Sequence, residues 1–202
     1  CTSFADLISH CLISTTMFIP PYFTIMCVLF CYHYSMDKFS QKWAIIIPLT
    51  THADGSEFLY TDFPLHITVA GVFAIDNNGD ELETMLSELV KNIKPFEVAA
   101  EEEALLGEHK DIAVMKIRPA PKLMELHRLV YEELITRNAV FNAPYHQGHG
   151  YIPHSTHQKR GRLFAGDKVL VKSVLLIDLY PNGDGLMRKI TKTIEFPMNK
   201  AS

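Results

Sequence analysis

Apolar and polar positions alternate, cluster and then recur at helical spacing along the chain, and that pattern divides it into elements. Trp43–Leu49 is a short apolar run rich in β-branched residues, which predicts a buried strand. Thr50–Asp62 is polar with a glycine and reads as a loop, and His66–Phe73 follows as a second strand closed by the turn Asp76-Asn77-Asn78-Gly79. From Asp80 the period changes. Leu82, Met85, Leu86, Leu89, Val90 and Ile93 fall on one helical stripe, Asp80 and Glu83 stand at capping-box spacing, and Pro95 ends the segment.

Phe96–Leu106 and Asp111–Ile117 read as two strands joined by a short connection, with Glu101-Glu102-Glu103 as a solvated edge or bulge. Pro121 opens a second helix that runs to about Asn138. Its stripe is Leu123, Leu126, Val130, Leu134 and Ile135, with His127 beside it as a core or boundary histidine. A loop with Pro144, Gly148 and Gly150 leads to a short strand at His154. Lys168–Tyr180 and Leu186–Phe196 then form strands across a Pro-Asn-Gly-Asp-Gly turn. Helices separated by adjacent strands predict an α+β fold with mainly antiparallel sheets rather than a doubly wound one.

Composition changes abruptly at Met36. Cys11–Tyr34 contains no Asp, Glu, Lys or Arg, yet Pro20-Pro21 interrupts it and the basic flank is limited to Lys38 and Lys42. The expected reading is an upstream extension over residues 1–35 with a natural start at Met36-Asp37-Lys38. A membrane anchor ranks second, and a cleaved signal peptide third. Residues 36–202 form the expected folded domain.

The four cysteines (Cys1, Cys11, Cys27, Cys31) all precede Met36, so the main domain has neither a disulfide framework nor a thiolate metal site. That fits a reducing, cytoplasmic setting, with membrane attachment only through residues 1–35. The net charge of −4 argues against a broad basic surface for long duplex nucleic acid.

The candidate chemistry lies in one repeated pattern. His66-Ile67-Thr68 and His154-Ser155-Thr156 are His-x-Thr copies, each beside a proline and each on a predicted strand. Residues two apart on a strand share a face, so each copy presents an imidazole and a hydroxyl to one side. Two such strands facing each other supply a base, an acid and two hydroxyl donors for in-line displacement at phosphorus. Continued alternation beyond Thr156 places Gln158, Arg160 and Arg162 on the face of His154, where a guanidinium fork suits phosphate oxygens. Tyr145, Tyr151 and Phe63 are candidate platforms for a base, with ordinary packing as the competing account. His146, His149, His154 and His157 invite a zinc reading, but their spacing matches no hydrolase signature and leaves His66 unused. The expectation is no metal and no cofactor.

Two His-x-Thr copies about ninety residues apart are far more specific than one. Together with Trp43-Ala44-Ile45-Ile46-Ile47-Pro48, Leu65-His66-Ile67-Thr68-Val69 and Gly150-Tyr151-Ile152-Pro153-His154-Ser155-Thr156, the pattern resembles the 2H phosphoesterase superfamily, which includes 2'-5' RNA ligases and 2',3'-cyclic nucleotide phosphodiesterases. The resemblance implies a bilobal fold with both motif strands lining a central cleft. It implies His66 and His154 as the acid/base pair and Thr68 and Thr156 as phosphate-binding hydroxyls. RNA ends or small cyclic nucleotides are the implied ligands, bound by a monomer, with a non-catalytic RNA or nucleotide-binding module as the alternative. Ser155 and His157 depart from the apolar back face of the first motif, which predicts either an edge strand with a wet back or a different local pairing.

Overall fold

The computed structural model describes residues 39–159 and 161–198, so the expectations placed on residues 1–35 and on Arg160 lie outside the described residues. Two antiparallel sheets organise the chain. The larger has the order β2-β10-β9-β1-β3-β6, built from β1 (Trp43–Pro48), β2 (Glu57–Leu59), β3 (His66–Ala74), β6 (Val140–Phe141), β9 (Ser173–Asp178) and β10 (Met187–Glu195). The smaller has the order β7-β5-β4-β8, from β4 (Phe96–Leu106), β5 (Ile112–Ile117), β7 (His154–Thr156) and β8 (Lys168–Val171). Helices α1 (Gly79–Val90) and α2 (Pro121–Thr136) complete the expected α+β fold. Neither described helix is long and apolar enough to cross a membrane.

The β-branched run of β1 forms the middle of the larger sheet, with Ile45, Ile46 and Ile47 almost fully buried and paired to β3 on one side and β9 on the other. Alternation then decides what each face of β3 meets. Ile67 and Val69 enter the main core, where the stripes of α1 and α2 also pack and where β4 and β5 contribute Ala100, Met115 and Ile117. His66 and Thr68 lie on the other face, on the side of Ile46 and of a second apolar cluster containing Leu175 and Ile177. One continuous core therefore backs both sheets and leaves their opposite faces to carry the polar motifs.

Several boundaries differ from the sequence reading for physical reasons. The capping box of α1 sits two residues earlier than Asp80 and Glu83 propose: the Asn78 side chain accepts from the Glu81 amide at 3.0 Å, and the Glu81 carboxylate accepts from the Asn78 amide at 3.1 Å. Asn caps as well as Asp, and at position 79 a Cβ would approach the Trp43 ring to 3.1 Å, so glycine lets the helix start close to β1. Asn138 ends α2 in a left-handed conformation (φ 63°).

Lys168–Tyr180 is not one strand. β8 pairs with β4 in the smaller sheet and β9 pairs with β1 and β10 in the larger, so the chain changes sheet at Lys172. Lys172-Ser173 interrupts the apolar run there, but two polar residues do not by themselves distinguish a change of sheet from an exposed position within one strand. The predicted loop Thr50–Asp62 contains β2, whose three residues pair with the edge of β10, and the two-residue β6 is too short to carry a readable period.

Candidate active site

β3 and β7 come from different sheets and lie against each other, which brings the two His-x-Thr copies into one region. The imidazoles are held alike. The His66 Nδ1–H donates to the Pro64 carbonyl at 2.6 Å, and the His154 Nδ1–H donates to the Ile152 carbonyl at 2.7 Å. A carbonyl only accepts, so each contact assigns the proton to Nδ1 and leaves Nε2 as the reactive nitrogen of the neutral ring. The proline beside each motif fits this arrangement, since Pro64 supplies one accepting carbonyl itself and Pro153 sits between Ile152 and His154.

The surroundings of the two rings differ. Burial pushes the His66 imidazole down to about 4, helped by the nearby His154 and opposed by the Pro64 hydrogen bond. His66 is therefore neutral at physiological pH, and His154 lies within electrostatic reach of it. Phe63 contributes to that burial. Its ring lies 4.8 Å from the His66 ring at 46° and meets Phe58 edge-on at 5.2 Å, so it supports the imidazole from the second apolar cluster. Thr68 and Thr156 are both half-buried, and neither hydroxyl has a hydrogen-bond partner among the described residues.

Tyr151 has a tethering position rather than that of an open platform. Its hydroxyl donates to the Thr68 carbonyl at 2.7 Å, and its ring stacks on His127 with centroids 3.7 Å apart at 9°. His127 is 2% exposed, and both of its nitrogens are used: Nδ1–H donates to the Val69 carbonyl at 2.7 Å and Nε2 accepts from the Gly148 amide at 3.0 Å. Only the neutral ring satisfies both contacts, and burial correspondingly lowers its pKa. Sequence spacing placed His127 at the core but gave no sign that it joins α2, β3 and the loop before β7. Gly148 and Gly150 make that loop possible. Gly148 is left-handed (φ 57°) against the Tyr131 ring, and a Cβ at position 150 would stand 2.0 Å from the Tyr145 carbonyl oxygen.

The alternation expected beyond Thr156 does not continue. β7 ends at Thr156, and Gln158 and Gly161 then exchange backbone hydrogen bonds across a tight turn, so strand parity says nothing about later residues. Arg162 lies beyond that turn. It pairs with Glu103 of β4 at 3.5 Å and covers the Phe164 ring at 4.7 Å. Tyr145 is 62% exposed and touches His146, so its outer surface is open. Lys159 pairs with Asp62 at 3.4 Å, linking the turn after β7 to the segment before β3.

β7 is indeed an edge strand, but its back is dry. Ser155 is 1% exposed, its hydroxyl lacks a partner, and the His157 Nε2 is likewise buried without one. Among the described residues no cluster of His, Cys, Asp and Glu is placed to hold a metal ion. A groove between α1 and α2, lined by Asn78, Glu81, Glu88, Glu133 and Arg137 among others, includes neither motif.

Two antiparallel sheets, with the two His-x-Thr strands in contact and their imidazoles anchored alike, define an α+β protein. The sequence profile of the 2'-5' RNA ligase superfamily matches residues 37–171, and the chain belongs to that superfamily. Among solved structures, a protein described as a phosphoesterase aligns with a TM-score of 0.50 and 15% identity over 77% of this chain and 98% of its own. Escherichia coli LigT complexed with NADP+ aligns with a TM-score of 0.50 and 14% identity over 79% and 99%. These likenesses concern the fold. No curated protein matches the sequence.

Proposed function

We propose that the chain is a metal-independent phosphoesterase of the 2',3'-cyclic phosphodiesterase and 2'-5' RNA ligase type, acting on RNA ends or small cyclic nucleotides. The observation that carries this reading is the matched anchoring of His66 and His154 through Nδ1 on two contacting strands. Each ring presents Nε2 for proton transfer. Family membership supports the same class of chemistry.

In the hydrolytic direction, neutral His66 accepts a proton from water at Nε2 while the water oxygen bonds to phosphorus of the cyclic phosphate. The P–O3' bond breaks, and O3' takes a proton from His154, leaving a 2'-phosphate. Thr68 and Thr156 donate hydrogen bonds to the non-bridging oxygens as charge accumulates there. Afterwards the proton returns from His66 to His154 through solvent. The same sequence forms a 2'-5' phosphodiester when an RNA 5'-hydroxyl takes the place of water: His66 accepts its proton, its oxygen bonds to phosphorus, and O3' leaves with a proton from His154.

The test offers adenosine 2',3'-cyclic phosphate, and a short RNA ending in one, to the protein in the presence of a chelator. Expected is release of 2'-phosphate ends, with losses of about 10²- to 10⁴-fold in His66→Ala and His154→Ala and smaller losses in Thr68→Ala and Thr156→Ala. Equal rates in parent and both histidine variants overturn the proposal. Binding without turnover identifies a nucleotide-binding module instead, and activity that needs added zinc favours a metal site.

A further inference from the structure

The smaller sheet brings one more charged residue to the side of His154. Lys116 on β5 is the residue directly opposed to His154 on β7, as Val114 is to Thr156. Opposed residues of antiparallel strands share a face, with Cα atoms about 4.5–5.5 Å apart. Met115 and Ile117 point into the main core, so Lys116 is on the other face, with the imidazole and the threonine.

On its far side Lys116 meets Glu102 of β4, at 2.9 Å. This contact depends on an irregularity in the strand. The β4–β5 register shifts between Ala100 and Glu103, and the extra residue of this bulge turns Glu101 and Glu102 toward β5, where they pair with Arg118 at 3.6 Å and Lys116 respectively. Bulges re-aim side chains in this way. A row of carboxylate, ammonium and imidazole thus runs across three adjacent strands, from Glu102 through Lys116 to His154.

The row is uneven in a way that suits ligand exchange. The Lys116 side chain is 34% exposed and its Glu102 partner 63%, so the lysine side chain is the more enclosed of the two. Glu102 raises the Lys116 pKa through their hydrogen bond and charge and holds the ammonium toward β4. A phosphate entering from the side of His154 meets a cation already in place, and an exposed carboxylate yields its hydrogen bond to water at little cost.

Resting on the proposed phosphoesterase reading, we infer that Lys116 binds a second phosphate of the substrate, the one on the 5' side of the nucleoside whose 2',3'-phosphate reacts between the two histidines. The site therefore prefers the terminal nucleotide of an RNA chain, or a 5'-phosphorylated nucleotide, over a bare nucleoside cyclic phosphate. Glu102 occupies the cation until that phosphate arrives.

Equilibrium binding tests this without requiring turnover. Adenosine 3',5'-bisphosphate and adenosine 3'-phosphate are titrated into the parent protein and into Lys116→Met, Glu102→Gln and Lys168→Met by calorimetry at fixed salt. Lys168 pairs with Glu97 on the opposite edge of the same sheet, so its replacement makes the same charge change away from His154. Expected is binding of the bisphosphate about tenfold tighter than the monophosphate in the parent and in Lys168→Met, a gap below about twofold in Lys116→Met, and a wider gap in Glu102→Gln. A parent without the gap, a gap that survives in Lys116→Met, or equal losses in Lys116→Met and Lys168→Met overturns the inference. Failure of the hydrolysis assay overturns the proposed activity and leaves this comparison to be decided by binding alone.

Discussion

Tyr151 and Thr68 are joined by a single hydrogen bond of 2.7 Å, from the phenol of the residue three before the second motif to the backbone carbonyl inside the first. The sheets meet in many places, but this bond connects the two candidate halves of the site directly. Burial raises the phenol's pKa far above its ordinary value, so the bond keeps its proton across the working range. Tyr151→Phe keeps the ring on His127 and removes only the donor. The expected loss is about 1 kcal/mol in urea unfolding with an unchanged m-value. No loss in midpoint refutes a tethering role.

Activity should follow the lowered pKa of His66. A base that protonates at about 4 holds its neutral form well below the 6.5 of an ordinary imidazole. The acid limb of kcat/KM is therefore expected near pH 4, measured on adenosine 2',3'-cyclic phosphate with enzyme stability checked at each pH. A limb at 6.5 removes His66 from the role of base.

Stability carries the same sign. A histidine whose pKa is lower in the folded state binds its proton more readily when unfolded, so its contribution is complete above pH 6.5 and declines as pH falls toward the folded value. His127 is shifted in the same direction, and its protonation also breaks the contact from the Gly148 amide. His127→Phe fills the space but leaves the Val69 carbonyl and the Gly148 amide without partners, at an expected cost of about 2–4 kcal/mol at pH 7. The gap between variant and parent should narrow as pH falls below 6.5 in chemical denaturation. A constant gap contradicts a neutral, doubly bonded His127.

Gly150→Ala tests the loop before β7. Its Cβ would stand 2.0 Å from the backbone oxygen of Tyr145, which no side-chain rotation relieves. The expected cost is about 1–3 kcal/mol with a larger proportional loss of activity, because relief must shift the segment that carries Tyr151. Gly166→Ala serves as a contrast. Position 166 has no neighbour within 4 Å, so only its left-handed backbone (φ 90°) resists the change.

The sequence made the fold legible where a single physical signal dominated. The isoleucines of β1 and the stripes of α1 and α2 could belong only to a core, and Phe96–Leu106 was recovered with its bounds intact. Legibility failed where two adjacent elements share one pattern. Lys168–Tyr180 reads as a single strand, and Lys172-Ser173 within it fits an exposed position as well as a transfer between sheets. The candidate site divides in the same way. His66, Thr68, His154 and Thr156 could be named because the pattern repeats, whereas strand parity misjudged the surroundings of Arg162, since β7 ends at Thr156 and the turn at Gln158–Gly161 resets the alternation. Lys116 gave no sign at all, because its nearness to His154 exists only through the pairing of β5 with β7.

Lys172 has a further consequence. On its two sides the backbone passes from one sheet to the other, while Ile67 and Val69 of one sheet and Met115 and Ile117 of the other share the same core. The lobes are therefore not independent bodies that dock after each has formed. The apolar cluster that stabilises either one is completed by the other, so the two histidines come within reach of each other in the same cooperative transition that creates the core, and a chain cut between the lobes loses both together.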